Sequence, residues 1–90
     1  MKITWDPMKA RANLAKHGVR FSDAESVLFD PGALTRKDED AEGEQRFISV
    51  GSDAMGRVLT VVYSYQEEVI RMISARQASR RERRAYEEGV

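Results

Sequence analysis

Cysteine is absent from this 90-residue chain, histidine occurs once and proline twice. Without cysteine there is no disulfide framework and no thiolate metal site, and a reducing compartment suits the chain. A lone histidine, with the acids crowded into one polar stretch, leaves no metal-ligand spacing. Long apolar runs are missing as well. No window approaches the ~20 apolar residues of a membrane span. The opening "MKITWDPMKARAN" turns polar after five residues, too soon for a signal peptide. The expectation is a soluble, cytoplasmic protein that does not engage a membrane. The glycines are isolated turn residues, so no phosphate loop is present, and no nucleophile-elbow sequence surrounds a serine.

Net charge is also zero, but the charge is unevenly spread. Residues 1–20 set Lys2, Lys9, Arg11, Lys16 and Arg20 against Asp6 alone. Residues 21–45 hold eight acids against Arg36 and Lys37, and residues 69–86 hold six arginines against Glu82. Two basic segments therefore flank an acidic one, a pattern that suits a polyanionic ligand. Length predicts one domain over residues 1–90, burying roughly 60–65% of its unfolded surface around one modest core.

"KITW" predicts a short first strand. Asp6 as N-cap, Pro7 at the first helical position and Gly18 past the end delimit a first helix. On it Lys9, Asn13, Lys16 and His17 share a polar arc, with Ala10 and Leu14 roughly opposite. A second helix is expected from a Ser22–Glu25 capping box and the apolar series Phe21, Ala24, Val27 and Leu28. It stops at "DPG", residues 30–32. "ALT" suggests an edge strand before the acidic, mobile loop "RKDEDAEGE". "QRFISVG", "RVLTVVYSY" and "EVIRMISAR" are strands joined by short turns, hence an antiparallel meander. Ser79 and Glu82 form a further capping box, placing the last helix at about residues 80–88. The predicted order is β-α-α-β-β-β-β-α, an α+β fold with two N-terminal helices packed on the sheet and a C-terminal helix.

The candidates for chemistry are the cations. Guanidinium groups clamp phosphate bidentately and keep their charge. Metal-free RNA cleavage needs a base for the 2′-hydroxyl, fixed cations for the phosphorane and an acid for the leaving oxygen. His17 and Glu44 are candidate acid–base groups, beside Lys16, and Arg46, Arg71 and Arg76 are candidate clamps. Lys9, Arg57, Arg80, Arg83 and Tyr86 are candidate RNA contacts. Strand parity sets a limit: without a bulge, Arg71 and Arg76 point to opposite faces of the last strand. Structural readings stand beside these. His17 at a helix end complements the dipole, Trp5 reads as a core anchor, and Tyr86 serves equally to pack the last helix.

"WDPMKARANLAKHGVRF", "EGEQRFISVG", "GRVLTVVYS" and "VIRMISARQASRRERRAYEE", in this order, resemble the BrnT family of type II toxins across nearly the whole chain. The resemblance implies a RelE-like fold and a ribonuclease that halts translation without a cofactor. It also implies neutralisation by a BrnA antitoxin, a ribbon-helix-helix DNA-binding protein, whose complex with the toxin represses their shared operon. The rival reading is a non-catalytic module, or a degenerate toxin, that binds nucleic acid or antitoxin only.

Overall fold

The computed structural model describes residues 1–39, 43 and 45–89. The Asp6 side chain accepts from the Met8 amide, Pro7 opens helix α1 (Pro7–His17), and Gly18 closes it at φ 70°. That left-handed angle is easy for glycine and costly for most residues. Helix α2 (Phe21–Ala24) starts earlier than its sequence suggests. Arg20 is the N-cap and makes no side-chain cap bond, so the Ser22–Glu25 capping box does not form. Burial outweighs capping here. Phe21 and Ala24 sink into the core, and after Ala24 the chain tightens into a 3-10 turn over Glu25–Phe29 that buries Val27.

Five strands follow from the alternating apolar pattern: β1 (Lys2–Thr4), β2 (Leu34–Lys37), β3 (Arg46–Ser52), β4 (Val58–Gln66) and β5 (Val69–Gln77). Helix α3 (Arg80–Glu88) comes last. The sheet order is β1-β5-β4-β3-β2. The meander β2–β5 is antiparallel, while β1 joins β5 in parallel. The meander is as expected for the later strands; the first strand, which that pattern did not place, adds to β5 in parallel. The two helical segments between β1 and β2 carry the chain across, which short hairpins cannot do.

One sheet face lies under α1, α2 and the 3-10 turn. Leu59, Val61, Tyr63, Ile70, Met72 and Ala75 supply it, and Val19, Phe21, Ala24 and Val27 pack on them. Trp5 meets Phe21 edge to face at 5.9 Å, the core anchor its sequence position suggested. Gly51 is required by close approach. A Cβ there would come within 3.1 Å of Ala33 Cβ and Asp30 Oδ2.

Asn13 is the exception on α1. The sequence places it on the polar arc, yet it is the buried residue of that helix. Beyond residue 71, β5 has no strand on its outer side, and Asn13 fills the gap. Its Nδ2 donates to the Ala75 carbonyl at 2.8 Å, and the Ala75 amide donates to its Oδ1 at 3.1 Å. Nδ2 also donates to the Val19 carbonyl at 3.0 Å. One side chain thus does for Ala75 what a neighbouring strand would do, and fixes α1 against the sheet edge. Replacing it leaves buried backbone groups unpaired, each costing about 1–3 kcal/mol. Asn13→Ala is therefore expected to lose roughly 2–4 kcal/mol of stability, read as a lower midpoint in urea unfolding.

Candidate nucleic-acid interface

The sheet's second face is built from the alternate residues of the same strands. Its arrangement turns on β5. Val62 opposes Ser74 but Tyr63 opposes Met72, so Ile73 is an extra residue, a β-bulge. A bulge resets the alternation. Below it Ile70 and Met72 face the core; above it Ala75 does. Arg71, Ser74 and Arg76 consequently share the opposite face, which strict alternation forbids. The proviso in the sequence argument is met.

Register extends that face sideways, because directly opposed residues lie on one side of a sheet. Arg46 opposes Ser64, Ser64 opposes Arg71, and Arg71 is the parallel partner of Thr4. These four form one row across four strands. Two strand spacings put the Cα atoms of Arg46 and Arg71 about 10 Å apart. Ser64 between them is buried and Arg71 is exposed. Thr4, Ser64 and Arg71 also line a polar groove with Gln66, Glu67 and Val69. Glu67, which lines it, and Glu68 form a two-residue turn at φ 51° and 67°, strained values for non-glycine residues.

On the other side of β5, the basic stripe of α1 opens a cleft. Lys9, Lys16 and His17 line it with Asn13, Ile73 and Ser74. Ser74 borders both places: it lies between Arg71 and Arg76 on the sheet face and lines the cleft beneath His17. The bulge at Ile73 thus links the helical candidates to the sheet candidates.

Arg76, Arg57 and Tyr86 are tied to acids within the fold. Arg76 sends Nη1 and Nη2 to the Glu82 carboxylate at 2.8 and 3.1 Å. Glu82 also accepts from Thr60 Oγ1 and from the Ser79 amide, closing the capping box expected at α3. The Arg76 hydrogen bonds, outweighing partial burial, hold the Glu82 carboxyl down at about 2, and Glu82 in turn raises Arg76. Arg57 bonds Asp53 through Nε at 2.8 Å and lies 3.8 Å from Asp23, fastening the β3–β4 hairpin. Burial pushes the Asp53 carboxyl up, but the bonds from the Arg57 side chain and from backbone amides prevail and lower it. The Tyr86 hydroxyl donates to Asp30, which also accepts from the amides of Ser52 and Gly32. The Ser52 amide and then Tyr86 depress Asp30, and Asp30 raises Tyr86. Tyr86 therefore packs α3. Arg80 and Arg83 are exposed on α3. Glu44 lies outside the described residues, as do Asp40, Ala41 and Glu42 of the stretch expected to be a mobile loop, whose first residues Arg36 and Lys37 instead belong to β2.

Sequence reasoning overlooked Ser64, Ser74 and Thr4. The signal was available: small polar residues interrupt strands otherwise rich in valine and isoleucine. Among the described residues, no three His, Cys, Asp or Glu side chains gather as a metal site, and no helix is long and apolar enough to cross a membrane.

A small α+β domain that turns one sheet face to its core and arrays arginines on the other belongs, by comparison with known proteins, to the ribonuclease toxins of type II toxin–antitoxin systems. The family model described as "Ribonuclease toxin, BrnT, of type II toxin-antitoxin system" matches residues 5–82. The chain is also similar to the crystal structure of the Brucella abortus ribonuclease toxin BrnT. The two are 30% identical with a TM-score of 0.68, over 89% of this chain and 99% of that one. No curated protein matches. The chain belongs to the BrnT family, and membership in a type II system implies an antitoxin partner.

Because the folded carboxyl of Glu82 sits at about 2 against an ordinary 4.5, its contribution to docking α3 is complete above the higher value. It is lost as pH falls through the lower one. The protection of the Ser79 and Glu82 amides, taken relative to intrinsic exchange at each pH, should therefore fall as pH drops between those limits. In Glu82→Gln that protection should be lower already at neutral pH and flat across the window.

Proposed function

We propose that this chain is an endoribonuclease that cleaves RNA without a metal ion, by transesterification, and so inhibits translation. The observation that carries the reading is the β5 bulge, which gathers Arg71 with Arg46 on one open face and brings Ser74 of that face to the cleft of Lys16 and His17. In this mechanism the proton of a 2′-hydroxyl passes to a base. The freed oxygen attacks the adjacent phosphorus, the bond from phosphorus to the 5′-oxygen breaks, and an acid protonates the leaving oxygen. The products are a 2′,3′-cyclic phosphate and a 5′-hydroxyl. Arg46 and Arg71 hold the phosphoryl oxygens as charge accumulates, where fixed donors count most. His17 exchanges the proton, with Lys16 beside it, and Glu44 remains the second acid–base candidate. Arg76 acts by holding the sheet and α3 together. Arg80 and Arg83 hold flanking phosphates, with Lys9 extending the basic track along α1.

The antitoxin partner is proposed to be a BrnA-type ribbon-helix-helix protein, through which the complex binds operator DNA and represses its own operon. The site of this action is proposed to be the cytoplasm, where cellular RNA is translated. The RelE-like architecture supports the reaction class more than the role of any one residue.

Purified toxin freed of antitoxin should cut RNA in the presence of EDTA and leave cyclic-phosphate ends. Arg46→Ala and Arg71→Ala should each lower the rate roughly 10²–10³-fold while circular dichroism stays that of the native fold. Intact RNA with the wild-type chain would reduce the protein to a binding module. If Arg80 holds a phosphate, Arg80→Ala should flatten the salt dependence of RNA affinity by about 0.7 in the log–log slope. An unchanged slope removes Arg80 from the RNA path.

A further inference from the structure

Between α3 and strands β2 and β3 the open sheet face leaves a second groove, distinct in character from the polar one beside Arg71. Leu34, Ile48, Val50 and Ala85 supply an aliphatic lining, with Arg36 from the sheet and Arg81 from the helix among the residues around it. Both arginines are exposed. Glu82 also borders this groove, but its carboxylate is taken up by Arg76, Thr60 and the Ser79 amide. The groove thus offers apolar surface between two walls that each carry a cation.

We propose that this groove receives the antitoxin, through an amphipathic segment that places aliphatic side chains on Ile48 and Leu34 and carboxylates beside Arg36 and Arg81. The proposal rests on membership in a toxin–antitoxin family, which requires a protein partner without saying where it sits. Two properties favour protein over RNA as the occupant. The lining holds no aromatic side chain on which a base could stack, and desolvating aliphatic surface favours an apolar partner. Acidic groups on the partner complement the rim, as interfaces with a hydrophobic centre and charged periphery commonly do. Ile48 is two residues from Arg46 on the same strand and faces the same side. A segment seated here therefore ends about 7 Å from the arginine row, close enough to exclude RNA from it.

The test titrates the purified toxin with the full-length antitoxin encoded beside it. The charge reversal Arg36→Glu with Arg81→Glu changes exposed side chains and leaves the core intact. It should weaken antitoxin affinity at least tenfold and reduce its salt dependence, while free toxin cuts RNA at the wild-type rate. Ile48→Lys, checked for an unchanged melting profile, should weaken antitoxin binding similarly by spoiling the lining. Antitoxin binding at wild-type strength by the double variant would overturn the proposal. So would a loss of RNA binding with antitoxin binding intact, or a change in self-association without either. Inactivity of wild-type toxin on RNA would defeat the ribonuclease reading alone, because the binding titration reads the antitoxin directly.

Discussion

Between Met72 and Ser74, strand β5 holds a residue, Ile73, without an opposite number on β4. That insertion constrains much of the rest. A strand of nine residues has two faces, and regular alternation would divide Arg71 and Arg76 between them, burying one guanidinium among Leu59, Val61 and Met72. An unpaired guanidinium there would be far more costly than a bulge. With Ile73 inserted, both arginines leave the core, and Ile70, Met72 and Ala75 remain inside it. The bulge also falls where β5 changes partners on its outer side, from β1 over residues 69–71 to the side chain of Asn13 at Ala75. A uniform outer strand would resist the irregularity. A short strand and a single amide accommodate it.

The last helix carries its arginines toward its N-terminal end, against the preference set by the helix dipole. The structure resolves part of that paradox. Glu82 in the first turn offsets the cations around it, and it does so while capping the helix and binding Arg76. Ala85 and Tyr86 complete the side of α3 that meets the sheet, and the Tyr86 bond to Asp30 ties its far end to the loop before β2. Arg80, Arg81, Arg83 and Arg84 are left exposed. Among the described residues, α3 is docked by the Arg76–Glu82 pair from the strand rather than by an ion pair of these four. The unfavourable dipole interactions are tolerable because each is worth only about 0.3–1 kcal/mol at an exposed site, while the docking side is independently secured.

Local chemistry was legible in the sequence, and long-range pairing was not. The Asp6–Pro7 start and Gly18 end of α1 and the Ser79–Glu82 box are written within a few residues of each other, so their physics is visible in a short window. The same rule misled at Ser22–Glu25, where burial of Phe21 and Ala24 set the helix start instead. Asn13 could not be read correctly, because its partner is 62 residues away and an isolated asparagine on a basic stripe has every mark of a solvent-facing residue. The bulge could be named as a condition but not placed, since "VIRMISARQ" contains no glycine or proline to mark it. Arg57 and Tyr86 looked like ligands for RNA because arginine and tyrosine serve both purposes. Their bonds to Asp53 and Asp30, acids brought to them by the fold, show a structural use that the sequence alone could not locate.

Separating arginines that hold the fold from those on the outer surface shows how a chain of zero net charge carries an uneven field. Arg57 and Arg76 are matched to acids inside the structure, so they contribute little field outside it. Lys9 and Lys16 of α1 and the arginines on the outer side of α3 are exposed, and their potential reaches solvent. Total charge averages these populations and hides the asymmetry; the field near the sheet face does not. The same face also carries aliphatic side chains on β2 and β3, which RNA does not need and a protein partner does. Two kinds of surface side by side on β3, Arg46 at one layer and Ile48 at the next, allow an occupant of one to obstruct the other. If the antitoxin occupies the groove as proposed, neutralisation requires no change of the toxin's shape, only competition for adjacent ground.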